Sequence, residues 1–288
     1  MKTATLLYST ASGRGHFEKH LDYVKSRLEP QYELKAVLCR SLEEEIELAC
    51  SCQDDALIVV GGDGTFQAIC GALSERDRSP LIGYINGGTL GDVGRNFGVT
   101  KRLSQAVKII EEGATTALDI GTLNDEHFVY MAAIGDFADI AYATPREKKK
   151  RLGKFAYYQK AVGEALHQKS IHVRIESDGN VYEGDTPFLL VMSGKRVGGF
   201  AVNKDGDYRD GKLELYVSPK GKFNGLLHYF FNKKKVLRLV GDAFQIEAPA
   251  DEHWCLDGEK GPSGNASIGI KKRVLRVFCA KKYAEAEE

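Results

Sequence analysis

The sequence predicts an α/β domain built on a parallel sheet, followed by a β-rich domain of antiparallel strands. In residues 3–112 short apolar runs alternate with stretches whose apolar residues recur at helical spacing. Three of those runs end in clusters of small residues, the form that turns take at the carboxyl edge of a parallel sheet. From about Asn124 the apolar period falls to two, and DG, DGD, EGD and GPSG turns separate the strands.

Residues 3–9 are an apolar strand running into Ser-Thr-Ala-Ser-Gly-Arg-Gly. Phe17, Leu21, Val24 and Leu28 then mark one face of a helix closed by Pro30. Residues 32–39 read as a second strand. Ser41 starts a helix with acidic residues at 43–45, where the helix dipole favours them. Residues 56–60 are short and wholly apolar, like a parallel strand covered on both faces. A glycine-rich turn follows, then a helix over 66–73, a strand over 81–85 ending in Asn-Gly-Gly-Thr-Leu-Gly-Asp, and a helix over 103–112. In the second half Ile171, Val173 and Ile175 alternate with polar residues, as do Leu213, Leu215 and Val217, Leu237 and Leu239, and Phe244 and Ile246. Helical stretches are expected at 152–167 and 224–231.

The 288 residues suffice for one large or two ordinary domains, and a composition 43% hydrophobic and 28% charged is that of a soluble globular protein. Forty basic and forty acidic residues cancel, so no overall field points to a nucleic-acid partner. No apolar run approaches the ~20 residues of a spanning helix, and the opening residues turn polar too soon for a signal peptide. The expected location is cytoplasmic. The six cysteines include one close pair, Cys50 and Cys52, without a second pair or histidine at zinc spacing, so they read as small reduced hydrophobes.

Gly61, Gly62 and Gly64 surround Asp63 directly after a strand. Glycine there permits close approach to the backbone, and phosphate is the usual visitor to a helix N-terminus. Three small-residue turns on one sheet edge strengthen that reading. They place Asp63 and Asp92 at the same edge, with Thr65 and Thr89 as hydroxyl donors. Carboxylates beside phosphate suit a bridging Mg²⁺. Neither a Walker loop nor a G-x-G-x-x-G opening is present. Near the C-terminus, His-Trp-Cys-Leu-Asp257-Gly258-Glu259 reads on spacing alone as a hairpin turn.

Taken in order, these motifs resemble the bacterial diacylglycerol kinase and lipid kinase family, related to sphingosine kinases. Gly61-Gly62-Asp63-Gly64-Thr65 is similar to its GGDGT nucleotide loop, and residues 88–95 sit where the family has G-T-x-N-D-F-A-R. KKRLGKFAYY at 149–158 resembles the start of its second domain, and the stretch 193–212 ending in Asp210-Gly211 resembles its structural Mg²⁺ segment. Asp257-Gly258-Glu259 resembles its D-G-E. The resemblance implies an α/β nucleotide-binding domain over 1–123 plus about 274–288 and a β-sandwich domain over 124–273. The active site is expected in the cleft between them.

It further implies ATP and Mg²⁺ as cofactors and transfer of the γ-phosphoryl group to a lipid hydroxyl, with phospholipid biosynthesis as the setting. By matching position, Ser9, Ser12, Gly13, Gly61, Gly62, Asp63, Gly64, Thr65, Gly88, Thr89 and Asp92 hold nucleotide. Asp63 acts with Asp92 and Asp119 on Mg²⁺ and water, and Asp257 or Glu259 takes the proton. Asp210, with the carbonyls of Asp207 and Lys212, holds a structural Mg²⁺. A lipid substrate implies peripheral contact with the inner face of the membrane, for which 148–151 and 223–235 offer basic and apolar residues. A homodimer is compatible with these features.

The chain departs from the family pattern at three places. Its first turn begins Ser9-Thr10 instead of Asn-Pro, Gln67-Ala68 replaces Asn-Glu, and Gly91 replaces the asparagine before Asp92. NAD kinases share GGDGT, but this chain has no Asn-Glu dipeptide anywhere. An inactive lipid- or nucleotide-binding homologue is the other alternative.

Overall fold

The computed structural model describes residues 1–9, 17–88, 91–135, 170–197, 200–218 and 236–285. The helices expected at 152–167 and 224–231 and the basic and apolar stretches at 148–151 and 223–235 lie outside them. The chain divides into two compact units, Met1–Ile120 with Lys272–Glu288, and Gly121–Lys271.

The first unit alternates β1 (Lys2–Ser9), α1 (Leu21–Leu28), β2 (Tyr32–Cys39), α2 (Leu42–Ser51), β3 (Ala56–Gly61), α3 (Asp63–Leu73), β4 (Leu81–Asn86), α4 (Asp92–Asn96) and α5 (Leu103–Glu112). Its strands lie in the order β2-β1-β3-β4, all parallel, and the last part of β18 (Ala266–Phe278) pairs parallel to β4 through Val277 and Ile82. The chain leaves β1 to one side for β2 and to the other for β3. The carboxyl ends of β1 and β3 therefore flank a topological switch point, where open α/β sheets bind ligands.

Local sequence explains the elements. All six residues of β3 are buried, as a central strand covered on both faces requires. Ser41 caps α2 by accepting the Glu44 N–H at 3.2 Å, and the Glu44 carboxylate reaches back to the Arg40 N–H at 2.6 Å. Helix α1 is tied to α5 by a two-pronged ion pair from Arg27 to Glu111.

Two boundaries differ from expectation. The helix after β3 begins at Asp63 rather than at 66, because Gly62 acts as its N-cap and accepts the Phe66 N–H at 3.1 Å. The glycine cluster is thus the first turn of a helix rather than a loop before one. The resemblance also implies a final strand over about 274–280 returning to the first domain; the strand observed there begins at Ala266. Its buried residues change phase at Arg273, from Ala266 and Ile268 before it to Leu275 and Val277 after it. Arg273 has φ 52° and donates its N–H to Asp119 at 2.6 Å. An irregularity that flips the alternation hides the strand's continuity from a period-two reading.

In the second unit, one sheet contains β8 (Ile171–Ser177), β9 (Asn180–Thr186), β15 (Ala243–Glu247), β6 (Glu126–Phe128), the end of β5 (Thr115–Leu123) and the first part of β18. The other runs β14 (Leu237–Gly241), β13 (Leu213–Val217), β10 (Phe188–Met192), β7 (Met131–Gly135), β16 (His253–Leu256) and β17 (Glu259–Ser263), each strand antiparallel to its neighbours. A two-stranded hairpin joins β11 (Arg196–Val197) to β12 (Phe200–Ala201). Ile171, Val173, Ile175, Phe244 and Ile268 of the first sheet share one core with Ile134, Leu189, Val191, Leu215 and Trp254 of the second. The unit is a β-sandwich.

Candidate functional site

In the first unit the turn after β3 is held by close packing of main chain. A Cβ placed on Gly88 would lie 2.7 Å from the Gly62 Cα, 3.3 Å from Asn86 Oδ1 and 3.5 Å from the Asp63 nitrogen. Only glycine fits at 88. A Cβ on Gly61 would meet the Thr65 side chain at 2.6 Å. The ends of β3 and β4 are joined by the Gly87 N–H donating to the Gly61 carbonyl at 2.8 Å. Beneath them Phe66 of α3 packs on Tyr84 of β4, with ring centroids 4.4 Å apart, and Phe97 closes the cluster. The first N–H groups of α3 have no partner within the helix, and Gly62 offers no capping side chain.

Asp63 turns its carboxylate to the next segment. It accepts the N–H groups of Gly91, Asp92 and Val93 at 2.8, 3.2 and 3.4 Å, so it caps the short helix α4 across 28–30 residues of sequence. Burial, followed by the nearby Asp92 carboxylate, pushes the Asp63 carboxyl up to about 6, against the pull of the three amides. Asp92 is itself fully buried. A proton on one of the two carboxyls relieves the repulsion between them.

The remaining sites expected in this unit are placed as follows. Ser9 ends β1 and hydrogen-bonds the buried Glu45 carboxyl, which burial raises. Gly64 and Thr65 lie in the first turn of α3. Ser12, Gly13 and Thr89 lie outside the described residues. Asp119 is buried and accepts the Arg273 N–H.

In the second unit Asp257 and Gly258 form a two-residue turn between β16 and β17, with φ 52° and 94°. The hairpin expected from spacing is present. Asp257 also accepts the N–H groups of Val129, Tyr130 and Met131 at 2.6, 3.0 and 2.9 Å, while the Tyr130 hydroxyl donates to its carbonyl at 3.2 Å. It is 5% exposed, whereas Glu259 is exposed. Asp207 is engaged by the Arg209 guanidinium at 2.9 and 3.0 Å, its carbonyl accepts the Asp210 N–H at 3.3 Å, and Asp210 Oδ1 accepts the Lys212 N–H at 2.9 Å. Among the described residues no three His, Cys, Asp or Glu side chains gather as a metal cluster.

Over 290 aligned positions the chain is 30% identical to a diacylglycerol kinase of Staphylococcus aureus (strain bovine RF122 / ET3-1), covering 96% of this chain and 92% of the relative. It belongs to the diacylglycerol kinase family. The same identity and coverage hold for the Staphylococcus aureus (strain MRSA252) diacylglycerol kinase. The diacylglycerol kinase catalytic domain matches residues 3–123. A diacylglycerol kinase structure from Bacillus anthracis str. Sterne shares the fold, with TM-score 0.79, 22% identity and 98% coverage of both chains.

Family motifs and observed geometry overlap incompletely. Asp63 opens α3, and Asp257 and Glu259 lie at the β16–β17 hairpin. Sequence reasoning missed α4, the 129–131 segment that Asp257 grips, and Asn86. The only signal for Asn86 was an asparagine ending a strand immediately before two glycines. Among the described residues no helix is long and apolar enough to cross a membrane.

Proposed function

We propose that the protein is an ATP-dependent lipid kinase that transfers a γ-phosphoryl group to the hydroxyl of diacylglycerol or a related glycerolipid. The observation that carries this reading is the GGDGT segment forming the first turn of α3, beside a sheet switch point, in a chain of the diacylglycerol kinase family. The close approach of Gly88 to Gly62 brings the main chain at the end of β4 against the first turn of α3. In this reading the amides at the start of α3 orient the triphosphate, and phosphoryl transfer depends mainly on such positioning and charge stabilisation. Asp63 holds the 91–93 amides in place and, with Asp92, supplies the negative charge that a magnesium ion would neutralise. Mg²⁺ would supply neutralisation of charge on the phosphate oxygens. Asp210, with the carbonyls of Asp207 and Lys212, would offer oxygen ligands of the kind a structural Mg²⁺ takes.

Within D-G-E the reading favours Glu259 as proton acceptor. Three of the roughly four lone pairs of Asp257 are taken by amides, while Glu259 is exposed at the start of β17. A general base must first have reach to the hydroxyl. Action on a lipid would place the protein at the cytoplasmic face of a membrane, as a peripheral contact, in phospholipid biosynthesis. An ATP-consumption assay with diacylglycerol, phosphatidylglycerol, sphingosine and NAD tests the proposal. Turnover with a glycerolipid, abolished in Asp63→Ala, is expected; turnover with NAD alone, or none at all, overturns it. Co-sedimentation with liposomes should rise with their anionic lipid content.

A further inference from the structure

Asn86, the last residue of β4, is 8% exposed. Its Oδ1 accepts the Gly88 N–H at 2.8 Å and faces the Tyr84 hydroxyl at 3.4 Å. Two donors on one oxygen fix which way the carboxamide points. The opposite end, Nδ2, is buried and has no hydrogen-bond partner. Buried donors without a partner are rare, and each asks for a reason. The same amide explains Gly91: a Cβ there would lie 1.8 Å from Asn86 Nδ2. Gly91 is in the left-handed region with φ 67°, a conformation asparagine also tolerates, so φ alone does not require glycine. The space at 91 is taken by the side chain of 86.

The unpartnered amide of Asn86 adjoins the start of α3, since a Cβ on Gly88 would meet Asn86 Oδ1 at 3.3 Å and the Asp63 nitrogen at 3.5 Å. A helix N-terminus favours an anion, and a neutral amide donor adds to it without adding charge beside Asp63 and Asp92. We infer that Asn86 is a phosphate-binding residue, whose NH₂ group donates to an oxygen of a phosphate seated on the first turn of α3. The carboxamide comes from the end of a strand, and its Nδ2 sits where a side chain at 91 would be. This deepens the kinase reading and rests on it, since it names a new contact in the same turn.

Isothermal titration of the full chain with ADP and with inorganic pyrophosphate tests it. Asn86→Asp keeps an oxygen for Gly88 and Tyr84 but exchanges the donor for a carboxylate, so a loss in it counts only when the neutral Asn86→Ala shows the same. The dissociation constants of both variants for both probes should rise at least tenfold over wild type. A loss for ADP alone would place the contact on the nucleoside and overturn the inference, as would unchanged binding of both. A mutation-free arm covers the case in which Asn86→Asp fails to fold. In wild type labelled with ¹⁵N-asparagine, the Asn86 side-chain NH₂ signals should shift and gain exchange protection at saturating pyrophosphate. Unmoved signals under saturation sink the Asn86 assignment while leaving the turn as a nucleotide site. Wild type that binds neither probe removes the kinase reading itself, and this contact with it.

Discussion

Two aspartates beside glycines, one in each unit, make the same set of bonds. Asp63 accepts three consecutive amides, at Gly91, Asp92 and Val93; Asp257 accepts three more, at Val129, Tyr130 and Met131. Each staples a turn to a segment far away in sequence. The surroundings separate them. Asp63 lies beside a second buried carboxylate, and its own carboxyl is pushed up to about 6. Asp257 has its bonds at 3.0 Å or less, within a hairpin whose preceding strand carries the fully buried Trp254. One staple carries a carboxyl pushed up beside another acid, and the other grips its amides at shorter distances. An acid in a motif is therefore not a catalytic acid until its lone pairs are accounted for.

The largest effect is expected at Asp257. Asp257→Ala strands three buried amides and should cost about 4 kcal/mol by urea unfolding. Asp63→Ala should cost no more than about half that, because it also removes a strained charge. Equal losses would erase the distinction between the staples. Next comes Glu259→Gln, expected to lower kcat about a hundredfold while moving stability by less than about 0.5 kcal/mol.

The strain at Asp63 has a pH signature. Its carboxyl is raised from 3.8 to about 6 in the folded state, so protonated Asp63 favours the fold. That contribution is full below pH 3.8 and is lost as pH rises through 6. The stability of Asp63→Asn relative to wild type should therefore climb across that window, by on the order of 2 kcal/mol, when thermal melts are compared. A flat difference would remove the strain from the account. The smallest effect belongs to surface carboxylates that lack such a grip. Asp185 and Glu183 raise the His172 pKa, so any gain exists at low pH and fades as pH rises through the folded value. His172→Ala should leave the melting midpoint unchanged above neutrality.

Much of the fold could be read from periodicity. Apolar runs and helical spacing located β2 and α5 to the residue, because buried faces impose periods of 2 and 3.6. What escaped was whatever depends on a partner distant in sequence. Arg273 inverts the alternation of β18 only because Asp119 receives its amide. Helix α4 is five residues long and gets its cap from Asp63, so no local pattern announces it. The acids at 63, 257 and 259 stood out beside glycines, yet nothing in D-G-E reveals which carboxylate three amides have already claimed. Asn86 looked like turn chemistry until its orphaned nitrogen was seen.

The break in the first unit's chain has a biosynthetic consequence. Residues 121–271 are an insertion, and the buried side chains Leu275, Val277, Phe278 and Cys279 return to the unit that was begun at Met1. Cys279 and Ala280 then donate their N–H groups to Ala114 and Phe97. The half that leaves the ribosome first is thus the last to be completed. Until its closing strand is translated, the edge of β4 stays open to other nascent or newly released chains. Removing residues 277–288 would injure the unit built around Met1–Ile120 rather than the unit that precedes the cut.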